Sequence, residues 1–123
     1  MAHPLTYKIP KNKNKRMKQI KCSDFETEVI ENEKKVIVLF TNDWSGSSII
    51  LGGSLSVLQK KWSKAFQFVE LSKDECQEIG EKYNIQNVPT ILIFNRGKVV
   101  EKISGVPSKN TIENILQNLS SMP

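Results

Sequence analysis

A chain of 123 residues with 38% apolar and 25% charged side chains has enough for one modest core, and no second domain is expected. No apolar run approaches the roughly 18 residues that cross a membrane, and residues 1–19 carry basic side chains without the apolar stretch of a secretory signal, so the cytoplasm is the expected compartment. The net charge of +5 is uneven: Lys8, Lys11, Lys13, Lys15, Arg16, Lys18 and Lys21 precede the first acid, while the rest of the chain holds eleven basic and thirteen acidic side chains.

Residues 1–15 read as a disordered basic tail, because Pro4, Pro10 and the Lys-Asn-Lys-Asn-Lys run leave little to bury. One domain is expected over 16–123. Met17 and Ile20 mark a short edge strand within 16–21. Ser23 and Glu26 have capping-box spacing, which predicts a helix with Phe25, Val29 and Ile30 on its apolar face. Val36-Ile37-Val38-Leu39-Phe40 is the pattern of a central strand covered on both sides. A helix is expected from about Ser45–Ser48 to Ser63, with Leu55, Leu58 and Trp62 at helical spacing. Gly52-Gly53 inside it predicts a bend or a close approach.

A strand follows over 66–71. Ser72 and Glu75 form a second candidate capping box, opening a helix that ends near Tyr83-Asn84. Ile91–Phe94 and Val99–Ile103 are strands around an Asn95-Arg96-Gly97-Lys98 turn. Ser108 caps a last helix whose buried stripe is Ile112, Ile115, Leu116 and Leu119. The order β-α-β-α-β-α-β-β-α implies an α/β domain with a mixed central sheet flanked by helices.

Only two cysteines occur, Cys22 and Cys76, at a spacing that matches neither a metal site nor a redox pair. In a reducing compartment a structural disulfide is not expected. Buried or half-buried free thiols are expected instead, with a redox-sensing Cys76 as the alternative. There is no His/Cys cluster, phosphate loop or dinucleotide fingerprint, so neither metal nor cofactor is expected. The only histidine, His3, lies in the tail, which leaves Ser45, Ser47 and Ser48 without a base for hydrolase chemistry. Helix capping is the simpler role for them.

Trp44-Ser45-Gly46-Ser47-Ser48 directly follows the central strand. Val88-Pro89-Thr90, the hairpin Gly97 and Gly105 come later in the chain. At this order and spacing the sequence resembles thioredoxin from about Arg16 to Leu119. The resemblance implies a thioredoxin-like fold, a cis peptide before Pro89, and a peptide groove formed by Trp44, Gly46, Ser47, Val88, Pro89, Thr90 and Gly105. Trp44 either walls that groove or packs over its own loop.

The departures from the family pattern are as informative. Ser45 and Ser48 stand where thioredoxins carry their two cysteines, and Ser47 where they carry a proline. Leu39 stands at the position of a buried aspartate, Thr41 at that of a common tryptophan, Glu70 at that of a lysine, and Gly53 at that of a helix-kinking proline. Disulfide exchange needs an attacking thiolate and a resolving thiol, and neither serine supplies one. Loss of the acid at Leu39 as well favours natural loss over an engineered knockout. The expectation is therefore a redox-inactive domain, not an enzyme, that binds a protein or peptide non-covalently in the groove. Two alternatives stand beside it. One is a thioredoxin-type disulfide oxidoreductase of cell redox homeostasis whose CxxC was removed by mutation. The other is nucleic-acid or anionic-surface binding through the seven cations of residues 8–21.

Overall fold

The computed structural model describes residues 17–42 and 46–123, with backbone alone at 46–48. Its elements in chain order are β1 (Lys18–Gln19), a 3₁₀ turn (Cys22–Asp24), a π-helical segment (Glu26–Ile30), β2 (Lys35–Thr41), α1 (Gly46–Trp62), β3 (Phe66–Ser72), α2 (Gln77–Lys82), β4 (Thr90–Asn95), β5 (Lys98–Ser104) and α3 (Lys109–Ser120). The sheet runs β1-β3-β2-β4-β5. β1 and β2 flank β3 in parallel, while β4 pairs antiparallel with both β2 and β5. This is the thioredoxin fold, in the element order expected from the sequence.

Alternation along the strands builds two cores. Ile37 and Leu39 of β2, Phe66 and Phe68 of β3, and Ile91 and Ile93 of β4 face one side. Leu51, Leu55 and Leu58 of α1 and Ile112, Leu116 and Leu119 of α3 cover them. The intervening residues Val36, Val38, Phe40, Val69, Leu71, Leu92 and Phe94 face the other side, under Phe25, Val29, Cys76 and Ile85. A strand buried on both faces needs an unbroken apolar run, which is why β2 reads as one.

The start of the chain differs from expectation in its geometry. No capping box joins Ser23 to Glu26. Instead the Lys21 N–H donates to Asp24 Oδ2 at 3.0 Å and a 3₁₀ turn begins at Cys22. The next turn is wide, with the Glu31 N–H donating to the Glu26 carbonyl at 2.9 Å. Phe25 and Val29 still reach the core. The Ser72–Glu75 box is absent too. Ser72 ends β3, the Glu75 N–H donates to the Ser72 carbonyl in a turn, and α2 starts only at Gln77.

Other expectations hold. Met17 and Ile20 are buried around a two-residue edge strand. The Ser108 hydroxyl accepts from the Thr111 N–H at 3.1 Å. Arg96 and Gly97 both take positive φ, 54° and 82°, as a type I′ hairpin turn requires. The Val88–Pro89 peptide is cis. The close approach expected at Gly52-Gly53 is not there: a Cβ on Gly52 would lie 3.9 Å from Leu39 Cδ2, and one on Gly53 would meet nothing within 4 Å.

Candidate redox site

Cys22 and Cys76 are bonded to each other, S–S 1.96 Å and Cα–Cα 5.3 Å, across a sequence separation of 54. The strands explain how two distant residues meet. β1 and β3 run parallel in the register Lys18↔Val69 and Gln19↔Glu70. Each cysteine follows the carboxyl end of its strand, Cys22 in the 3₁₀ turn and Cys76 just before α2. Topology thus brings both to one end of the sheet. The Lys73 N–H, donating to the Thr41 carbonyl at 2.8 Å, ties the loop before Cys76 to the end of β2. The WSGSS segment leaves from that same strand end.

The two sulfurs have different surroundings. Cys76 is 2% exposed and belongs to the core between the sheet and the helical segments on that face. Its N–H donates to the Lys73 carbonyl at 3.1 Å, and its carbonyl accepts from the Gly80 N–H at 3.2 Å. Cys22 is half-buried at the margin of the core. Free thiols were expected at both positions; among the described residues no cysteine is free. The pairing was legible only through strand adjacency. A 54-residue spacing says nothing until β1 is laid beside β3.

The expected groove residues divide between described and undescribed parts of the chain. Val88, Pro89, Thr90 and Gly105 come together. The Gly105 N–H donates to the Pro89 carbonyl at 3.0 Å with Gly105 at φ 86°, and Thr90 Oγ1 donates to the Asn87 carbonyl at 2.6 Å. Pro89 and Thr90 are buried and Val88 is half-buried. Gly46 opens α1, and Ser47 and Ser48 continue its backbone. Trp44 and Ser45 lie outside the described residues, as do Lys8, Lys11, Lys13, Lys15 and Arg16 of the tail. Lys18 pairs with Glu28 at 3.0 Å, and Lys21 is exposed. Leu39 is fully buried beneath α1. Among the described residues, no helix is long and apolar enough to cross a membrane.

The sequence profile of the family described as thioredoxin matches residues 16–118. The chain belongs to the thioredoxin family. It is 34% identical over 89 residues to thioredoxin of Chlorobaculum thiosulfatiphilum, which covers 72% of this chain and 82% of that one. Over 91 residues it is 34% identical to thioredoxin of Mycoplasmoides gallisepticum, covering 73% and 89%. Thioredoxin of Porphyra purpurea is 27% identical over 103 residues, covering 84% and 96%.

Within this family, the expectation of a domain stripped of its redox pair is corrected. Positions 45 and 48 read serine, yet the chain carries two cysteines already joined as a disulfide. That finding overturns the redox-inactive reading, the reading of a CxxC lost by mutation, and the exclusion of enzyme chemistry argued from Ser45 and Ser48. The exclusion weighed the two family positions and took Cys22 and Cys76, from their spacing, for free thiols.

Proposed function

We propose that this thioredoxin-family chain is a protein thiol–disulfide oxidoreductase that cycles Cys22 and Cys76 between dithiol and disulfide. The supporting observation is the Cys22–Cys76 bond itself, with Cys22 a half-buried residue and Cys76 inside the core. In the reduced chain, Cys22 gives up its proton and its thiolate attacks one sulfur of a client disulfide. A Cys22–client bond forms, the client S–S bond breaks, and one client thiolate leaves. Cys76 then loses its proton and attacks Cys22, releasing the second client thiolate. Two electrons pass from the chain to the client, and an external dithiol reverses the cycle.

The proposal places the chain in the cytoplasm, where disulfides are mostly transient and catalytic. That setting favours a working couple over a permanent staple. The client segment is proposed to lie along Val88, Pro89, Thr90 and Gly105 and to hydrogen-bond to the Val88 backbone as an added strand would. Insulin reduction in the presence of dithiothreitol tests the chemistry. The wild-type chain is expected to accelerate it. Cys22→Ser should return the rate to that of dithiothreitol alone, and Cys76→Ser should accumulate a mixed disulfide at Cys22. Full activity retained by Cys22→Ser would sink the reading.

A further inference from the structure

We propose that Asp24 is the positioning residue of the redox pair: its carboxylate closes the turn that carries Cys22 and so holds that sulfur where Cys76 can displace a bound client. This rests on the redox reading above for its place in the cycle, and it names a residue the cycle needs besides the two cysteines. The cysteines are anchored by different means. Cys76 is buried, its N–H donates to the Lys73 carbonyl and its carbonyl accepts from the Gly80 N–H, so core packing and backbone bonds fix it. Cys22 lies between two firm points. One is the Ile20 N–H, which donates to the Glu70 carbonyl of β3 at 3.0 Å. The other is the buried Phe25, whose ring centroid lies 5.9 Å from that of Tyr83 and 5.7 Å from that of Phe94. The four residues between, 21–24, are exposed or half-buried.

Asp24 closes that stretch on itself. Its Oδ2 accepts from the Lys21 N–H at 3.0 Å, while its own N–H donates to the Lys21 carbonyl at 2.9 Å. Lys21 and Asp24 are thus bonded in both directions, with Cys22 and Ser23 between them. Thr27 Oγ1 donates to the Asp24 carbonyl at 3.2 Å and ties the turn to the next one. A lone 3₁₀ turn has poor internal hydrogen-bond geometry, and an ionised acceptor on a backbone N–H makes a stronger bond than a neutral one. With the disulfide closed, the sulfur bond also holds the turn. With it open, the carboxylate has to keep the turn without that help. Removing the carboxylate costs the disulfide form the whole hydrogen bond, whereas the dithiol form relaxes out of the turn and loses less. The disulfide therefore becomes easier to reduce, and closure on Cys22 becomes slower. In that closure the Cys76 thiolate bonds to the Cys22 sulfur, the Cys22–client bond breaks and the client thiolate leaves.

The test equilibrates the full-length chain with reduced and oxidised glutathione and counts dithiol, disulfide and glutathione-bound forms by mass after alkylation. The constant compares two folded forms, so a loss of stability shared by both leaves it unmoved. Asp24→Ala should lower the constant for disulfide formation about fivefold, the size of a lost cap, and Asp24→Asn, which keeps an acceptor, should stay within about twofold of wild type. The Cys22–glutathione form should rise in Asp24→Ala, because closure by Cys76 competes less well. An unchanged constant in Asp24→Ala, or an Asp24→Asn constant as low as that of Asp24→Ala, would overturn the proposal and leave the redox reading standing. Loss of that reading through an active Cys22→Ser chain would leave these equilibria as they are and would remove only their link to turnover.

Discussion

Glu113 and Leu39 show how position sets what a carboxyl costs. Glu113 of α3 meets the Lys61 ammonium of α1 across the helix–helix contact. The Lys61 hydrogen bond and the Lys61 charge hold the Glu113 carboxyl below its ordinary range, with Lys109 adding to the effect. A carboxyl with a lowered folded-state pKa contributes stability above its unfolded pKa and loses it as pH falls through the folded value. Side-chain NMR titration should therefore place Glu113 below the ordinary value for a glutamate, and Lys61→Met should move it back up. The Lys61 side chain of the pair is largely exposed, so its effect on stability is small. Leu39 is the opposite case, fully buried against α1 and paired in register with Glu70. Leu39→Asp, which restores the acid usual in the family, puts a carboxyl into an apolar core beside a second one. Burial and the like charge both raise its pKa. The folded chain should lose about 3–5 kcal/mol when that carboxyl is ionised. Urea denaturation at two pH values checks this, with the deficit growing as pH rises because burial favours the protonated form.

Two glycines mark where element geometry is free and where it is not. Gly53 lies inside α1 with open space where its Cβ would be. Gly53→Ala should raise stability by about 1 kcal/mol through helix propensity, measured by chemical denaturation. Gly97 sits at φ 82° in the β4–β5 turn, and a Cβ there would lie 3.2 Å from the Ile30 carbonyl oxygen. Gly97→Ala should cost about 1–2 kcal/mol, since both the left-handed backbone and the contact penalise a side chain. These positions also show what was legible in the sequence. The β2 run, the Asn95–Lys98 hairpin turn and the Ser108 cap were readable because each depends on neighbours within a few residues. The two capping boxes failed because Asp24 and the turn after β3 offered competing local hydrogen bonds. The close approach at Gly52-Gly53 was misread because space beside a helix depends on what packs there. The disulfide escaped for a stronger version of that reason: its partners meet only once a parallel strand pair is formed.

For the whole molecule, the disulfide joins the β1 turn to the segment entering α2 and closes most of the parallel half of the sheet into one loop. Closing a loop of 54 residues removes denatured-state entropy worth about 4 kcal/mol. Cys76 lies inside, and Cys22 at the margin of, a core that also contains Phe25, Val29 and Ile85, so the folded dithiol form has that packing to hold it together. The dithiol chain should thus remain folded yet unfold at a lower urea concentration, by an amount equivalent to about 2–4 kcal/mol. Paired urea titrations of oxidised and reduced chain, with Cys22→Ser as a third sample, measure this. Cys22→Ser should match the reduced chain, because both lack the loop and keep the fold. The comparison bears on function as well. A couple that must open in each turnover needs a reduced state that stays native, with Cys76 still held near Cys22. Cooperative unfolding of the reduced chain in dilute buffer would assign the bond to fold maintenance, whereas a folded dithiol with a lower midpoint is what a cycling pair requires.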